Sequence, residues 1–406
     1  MPQSPLRPIE LQLSNGIPVV LQELEGGVAA TYWWNQVGSA DELPPEAGFS
    51  HFLEHMLFKD AAAKETGKTS TGQIATAIES LGGDINAYTS FDQTVYHVTC
   101  AAQHWLKVID AFGPMAKPQR FLKADFERER EVILEELRKN EDSPGRMMFQ
   151  ELFTQTYRKH PYGRPVIGYV KTLKDARVTD LDAYYRKHYV SSRMGLILVG
   201  PVLDERREVR RDLLQRLERY FGKKVIPQRK VAGRAPRSLE PALRPSGPRP
   251  CLLPFDVKGV SLALSFRVPD LRHDDVPALD VFSGIVGMGE SSRLYQHLFY
   301  KKGLVTEVSA GLYVPSDPGM LYAQADFEKI EQIEEVTREL VAELKSVVDH
   351  LPTHEELARV ITNAESERLY AGQTADGMAS RLGFLRFVMG DLHHDREYLE
   401  HLKSVS

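Results

Sequence analysis

Five residues near the start of the chain, His51-Phe52-Leu53-Glu54-His55, have the types and spacing of a metal site. On a helix, residues four apart lie on one face, so His51 and His55 can hold one ion between them. Glu54 lies on the same side, where it can take a proton from water activated there. Two neutral imidazoles suit Zn²⁺, and a catalytic zinc needs a third protein ligand and an open position for water. The flanking Phe49, Phe52, Leu53, Met56 and Leu57 make the helix strongly apolar and therefore buried. A carboxylate buried between two histidines with no task would be costly.

The third ligand must come from elsewhere, and the charged stretch from about Lys123 to Asn140 is the natural donor. It carries Glu127, Glu129, Glu131, Glu135 and Glu136, with Glu141 just beyond. Glu129 and Glu136 are two turns apart, nearly on one face, and ~10 Å apart along the axis at ~1.5 Å per residue. One of them can reach the ion, and the other can stand behind it, accepting a histidine N–H. Spacing alone does not say which. Glu127, Glu131, Glu135 and Glu141 read as a solvated face salt-bridged to Arg128, Arg130 and Arg138.

The elements that must position these residues follow from periodicity. Ile9, Leu11 and Leu13 alternate with polar residues, Asn15-Gly16 makes a hairpin turn, and residues 17–21 return. An extended aromatic-rich run covers 28–37. Pro44-Pro45 interrupts any helix before Phe49. Beyond a polar loop at 60–72, Ile74, Ala77, Ile78 and Leu81 share a helical face that Gly82-Gly83 ends. Residues 84–99 form two short strands about Ser90-Phe91-Asp92. Helices follow near 105–112, 123–140 and 204–221, with a strand at 194–199 before the last of these.

The proline- and arginine-rich stretch 227–250 reads as a linker. It divides the chain into domains at 1–226 and 251–406. The second repeats the first: a strand at 260–268, an acidic loop at 270–275, a strand at 321–325, a helix at 330–348 and a charged helix from about Glu355. The offset is about 232 residues throughout. Counterparts of the strand at 194–199 and its helix would lie beyond Ser406, so the second domain is expected to be truncated and the chain to be part of a longer one. Each domain is expected to be a mostly antiparallel sheet covered by helices, α+β in class.

Composition narrows the field. The 406 residues are 42% apolar and 26% charged, ordinary for a globular protein. With 51 basic and 56 acidic side chains well mixed, nothing resembles a nucleic-acid footprint. No apolar run approaches the ~20 residues that span a bilayer. Two cysteines, Cys100 and Cys251, suit a reducing, cytoplasmic home. A periplasmic or organellar one stays open to a chain whose targeting segment has been removed. His393-His394, flanked by Asp391 and Asp395, reads as a solvated helix end.

Taken together, His51–His55, the run Gly82-Gly83…Asn86-Ala87-Tyr88-Thr89 and Glu129…Glu136 resemble the pitrilysin or M16 family of zinc peptidases. The resemblance continues through His160-Pro161-Tyr162-Gly163, Thr179-Asp180-Leu181, Tyr189, Met194 and Gly289-Glu290-Ser291-Ser292-Arg293-Leu294. It implies a zinc endopeptidase acting on peptides or small unfolded polypeptides. His51, His55 and Glu136 would be the zinc ligands, Glu54 the general base and Glu129 the supporting acid. Asn86 and Ala87 would lie on the edge strand that pairs with substrate backbone. His55 and Glu136 stand further apart in sequence than is usual in the family, and the loop Asp60–Thr69 accounts for the surplus. One departure is plain. Where the family's closed chamber uses an Arg and a Tyr seven residues later, this chain has Phe299 and Thr306. The resemblance therefore implies a second half, in a longer chain or a partner subunit. The rival expectation is a non-catalytic scaffold or peptide-binding relative, or a half inactive alone. The intact metal set argues against the scaffold.

Overall fold

The computed structural model describes residues 7–59, 73–229 and 247–405. The expected loop at 60–69 and most of the linker at 227–250 lie outside the described residues. In chain order the elements used below begin with β1 (Ile9–Gln12), β2 (Pro18–Glu23), β3 (Val28–Asn35) and α1 (Phe49–Leu57). Next come α2 (Gln73–Glu79), β4 (Asp84–Thr89), β5 (Thr94–Ala101), α3 (Trp105–Phe112), α4 (Lys123–Glu141) and α5 (Pro144–Tyr157). Then follow α6 (Val178–His188), β6 (Met194–Gly200), α7 (Arg211–Phe221), β7 (Val260–Arg267), α8 (Val276–Gly287), β8 (Glu307–Tyr313) and β9 (Met320–Phe327). Last are α9 (Ile333–Asp349), α10 (His354–Ala371), α11 (Ala375–Gly383) and α12 (His394–Ser404). Among the described residues no helix is long and apolar enough to cross a membrane.

The chain forms two compact units. The first holds residues 1–138, 164–234 and 370–392, and the second holds 139–163, 235–369 and 393–406. The units thus differ in two segments from the linear division read at 227–250: residues 139–163 group with the second unit and 370–392 with the first.

The first unit is built on a six-stranded sheet in the order β1-β2-β6-β3-β5-β4. All pairings are antiparallel except β2 with β6. The central strand β3 is buried on both faces, which explains an aromatic run without polar alternation. On one face Trp33 meets Tyr96, Tyr189 and Phe221 at centroid distances of 5.0, 6.1 and 5.9 Å. On the other, Tyr32 and Trp34 pack with Ala375, Ala379 and Leu382 of α11. A Cβ on Gly383 would lie 2.2 Å from the Trp34 ring, so only glycine lets α11 lie so close. The sequence reading ran the helix before residue 221 back to 204. The helix starts instead at Arg211, because the Asp204 carboxylate accepts the backbone N–H groups of Arg206 and Glu208 and holds a turn.

The second unit has a three-stranded antiparallel sheet in the order β7-β9-β8. That order repeats β3-β5-β4 of the first unit. The starts of β3 and β7 are 232 residues apart and those of β5 and β9 226, so the offset shrinks along the chain and is not constant. One face packs on α9 through Val336, Leu340 and Leu344. The α5 helix lies against β7, and Arg267 there donates to the Thr156 carbonyl at 2.7 and 3.0 Å.

The start of α1 is fixed by an acid that sequence reading passed over. Glu42 is buried and accepts the backbone N–H groups of Gly48 at 2.8 Å and Ser50 at 2.7 Å, two donors at the start of a helix. Burial pushes its pKa up to about 8, against the pull of those donors and of Arg164. Gly48 has φ of +97°, and a Cβ there would sit 2.6 Å from the Ile167 carbonyl oxygen. Removing the acceptor leaves buried N–H groups unpaired, at a cost of about 1–3 kcal/mol. Glu42→Ala is therefore expected to lower the thermal unfolding midpoint and zinc occupancy together. An unchanged midpoint in a calorimetric scan would refute this role.

Candidate metal centre

The α1 helix splits cleanly by face. Phe49, Ser50, Phe52, Leu53, Met56 and Leu57 are buried, while His51, Glu54 and His55 are partly exposed along the opposite stripe. Phe52 stacks on Phe126 of α4 with centroids 4.6 Å apart and planes 11° apart. From Phe126, steps of three, four and three residues run along one stripe of α4 to Glu129, Ile133 and Glu136. The stacked pair therefore sets the register that aims both glutamates at α1.

His51, His55 and Glu136 each offer an atom such that all three lie within 4.8 Å of one another. The Glu136 Oε2 atom is 3.7 Å from His51 Nε2 and 3.5 Å from His55 Nε2. These distances exceed a good N–H···O hydrogen bond. The shorter falls within the ~3.3–3.6 Å between two ligands of one tetrahedral zinc at ~2.0–2.2 Å bond lengths, and the longer lies just beyond it. The donor set, two imidazoles and a carboxylate, is a zinc set with one position left for water. Glu136 is the most exposed of the three, its side chain 41% accessible, so that position opens toward solvent.

Glu129 does not join the three. Its Oε1 atom lies 2.9 Å from His55 Nδ1 and its Oε2 atom 2.7 Å from Lys59 Nζ. It is only 4% exposed. A carboxylate on Nδ1 fixes the imidazole tautomer that presents Nε2 to a metal. Burial pushes the Glu129 pKa up, but His55 and Lys59 outweigh it and the net shift is down. Lys59 joins the candidate site without any sign in the sequence, since no spacing rule links it to Glu129, 70 residues on.

Glu54 is held from a third direction. The Thr89 hydroxyl, at the end of β4, donates to Glu54 Oε2 at 2.6 Å. Burial pushes the Glu54 pKa up. Thr89 belongs to the Asn86-Ala87-Tyr88-Thr89 run, which marked the strand and gave no sign of this contact. Asn86 and Ala87 lie on β4 itself, opposite His97 and Tyr96 of β5. That strand is the last in the sheet, with Asn86 exposed. Phe299 and Thr306 lie in the second unit. Phe299 packs tilted against Tyr295 and edge-on to Tyr300, and the Thr306 backbone N–H donates to the Asp326 carbonyl at 2.7 Å.

The two candidate ligand histidines titrate in opposite directions without a metal. Burial and the neighbouring His55 push His51 down. Burial also pushes on His55, but Glu129 and Glu136 beside it raise it well above the usual imidazole range. At neutral pH the metal-free His55 thus carries a proton that a metal must displace. Apparent zinc affinity is expected to rise with pH until that proton is gone. Calorimetric titration with zinc at pH 7, in buffers of different ionisation enthalpy, should show about one proton released per ion, and fewer at higher pH. Lys59→Met should weaken zinc binding roughly 10-fold or more by loosening Glu129. A competition assay with a chromophoric chelator that shows unchanged affinity would remove Lys59 from the site.

Comparison with known proteins places this geometry in context. The family model described as Insulinase (Peptidase family M16) matches residues 19–169, and that described as Peptidase M16 inactive domain matches 175–364. An uncharacterized zinc protease of Mycobacterium leprae is 30% identical over 314 residues, 77% of this chain and 67% of its own. The Bacillus subtilis protein named uncharacterized zinc protease YmxG is 26% identical over 396 residues, 97% of this chain and 91% of its own. Among solved structures, a protease from Helicobacter pylori superimposes with a TM-score of 0.89 at 24% identity, covering 99% of this chain and 94% of that one. The peptidase M16 inactive domain structure from Pseudomonas fluorescens gives 0.80 at 18% identity, over 99% and 93% of the two chains. These two likenesses speak to the fold.

Proposed function

The chain belongs to peptidase family M16, and on that premise we propose that it is a zinc-dependent endopeptidase acting on peptides or small unfolded polypeptides. The observation that carries this reading is the meeting of His51, His55 and Glu136 within 4.8 Å, with Glu54 on the adjoining turn of α1. When bound there, zinc would acidify water and polarise the scissile carbonyl. Glu54 takes the proton from the attacking water and delivers it to the leaving amine. Glu129 keeps His55 aligned, and Lys59 keeps Glu129 charged.

Asn86 and Ala87 bind the substrate backbone at the open edge of β4. A peptide added to a sheet edge is held by main-chain hydrogen bonds, which tolerates many sequences. The carbonyl-holding Arg and Tyr are supplied by a second half of the same architecture, in a longer chain or a partner subunit. The packing of Phe299 against the core of the second unit supports that assignment, and Thr306, which is exposed, is tied by its backbone N–H to the Asp326 carbonyl. A reducing compartment suits the two free thiols, Cys100 and Cys251.

Glu54→Gln is the decisive variant. It should retain zinc at the wild-type ratio by elemental analysis and, with the second half present, lose roughly 10²–10⁴-fold in cleavage of a fluorescence-quenched peptide. Cleavage at the wild-type rate would overturn the assignment of the base. Wild-type protein without stoichiometric zinc would favour the scaffold reading instead.

A further inference from the structure

The α1 backbone fixes where Glu54 begins, and it does not fix where its carboxylate ends. A glutamate has three side-chain torsions, and immobilising them costs up to ~1.5–2 kcal/mol. A general base must nonetheless hold its oxygen within hydrogen-bond reach of the reacting water. Among the described residues no lysine or arginine pairs with Glu54. The short bond from Thr89 is the polar contact that holds it.

Thr89 is itself well anchored. A β-branched side chain has few χ1 choices. Thr89 is the last residue of β4 and stands opposite Thr94 in the antiparallel pair. Thr94 is fully buried, lies 3.5 Å from the Thr89 hydroxyl and donates its own hydroxyl to the Val37 carbonyl at 3.0 Å. The turn beyond is closed by Ser90, whose backbone N–H donates to the Gln93 carbonyl at 2.8 Å. The hydroxyl therefore points from a rigid hairpin end.

We infer that Thr89 is a positioning residue for Glu54: its hydroxyl pins Oε2 and leaves Oε1 turned to the reacting water. This rests on the peptidase reading above and adds to it a residue that touches neither metal nor substrate. It has a geometric consequence. Ala87 and Thr89 are two residues apart, on one side of β4. The strand that receives the peptide backbone is then the strand that aims the base, so one rigid element sets the distance between scissile bond and Glu54.

The test compares Thr89→Val, which keeps the shape and removes the donor, with Thr89→Ser, which keeps the donor. Both are made in the full chain and assayed, with the second half present, on the quenched peptide that wild type then cleaves. Thr89→Val should lower kcat roughly 10–100-fold with KM and zinc content unchanged. Thr89→Ser should recover most of the rate. Crystal structures should show the Glu54 carboxylate in one orientation in the Ser variant and displaced in the Val variant. A wild-type kcat in Thr89→Val, an unmoved carboxylate, a loss carried by KM or zinc, or no recovery in Thr89→Ser would each overturn the inference. Glu54→Gln is run alongside: full activity there would sink Glu54 as the base, the part of the peptidase reading on which this inference rests, whereas an inactive Glu54→Gln with a fully active Thr89→Val sinks only the role of Thr89.

Discussion

Phe52 and Phe126 lie face to face at 4.6 Å, and the chemistry of the first unit depends on that contact. Both rings are fully buried. Truncating a ring of this kind costs about 3–5 kcal/mol in cavity and lost packing. Stability is only part of its effect. The pair locks α1 and α4 in one axial register, and the candidate metal ligands come from both helices. A slip of one residue, ~1.5 Å along the axis, would exceed the tolerance of a coordination sphere. The apolar stripe of α1 and the apolar stripe of α4 are thus the ruler by which His51, His55 and Glu136 are measured out.

Charge then refines what packing sets. A chain of alternating sign runs from Lys59 to Glu129 to His55 to Glu136. Each link holds the next in the state that the site needs. Lys59 keeps Glu129 ionised, Glu129 holds the Nδ1 proton of His55, and Nε2 is left facing Glu136. A cation held between His51, His55 and Glu136 completes the alternation. Without it, His55 holds a proton instead. Glu54 stands outside this chain and takes its orientation from an uncharged hydroxyl. A lysine or arginine in place of Thr89 would place a positive charge beside the base and weaken its hold on a proton.

How far this was legible in the sequence depends on the range of the interaction. The His51–His55 spacing, the α4 glutamates and the strand at 84–89 rest on helical or strand periodicity, which is local and readable; that the strand is an edge came from the family resemblance. The Asn15-Gly16 hairpin was readable for the same reason, since turn chemistry needs only neighbouring residues. The Glu42 acceptor, Lys59 on Glu129 and Thr89 on Glu54 were not readable. They join residues six to seventy positions apart by single hydrogen bonds, and no period announces such a bond. The burial of α11 on β3 escaped for another reason. Its apolar face shows that it must be covered, but the face does not say by which sheet. Proximity in sequence suggested the second unit, and the close approach at Gly383 binds it to the first.

The second unit shows how little of the chemistry belongs to the fold. Its strand order β7-β9-β8 repeats β3-β5-β4, and a helix follows β7 as α1 follows β3. Yet α8 holds neither histidine nor glutamate. Its one acid, Asp280, is bonded to the Tyr398 hydroxyl of α12, and burial raises its pKa to about 6. That carboxyl closes a helix contact and has no metal partner. Three strands and one helix follow the same plan in both units, but among the described residues the candidate metal ligands gather only where α1 meets α4. A site of this kind needs two helices whose apolar faces agree on a register and whose opposite edges then meet. The first unit meets both conditions, and α8, apolar nearly all round, offers no such edge.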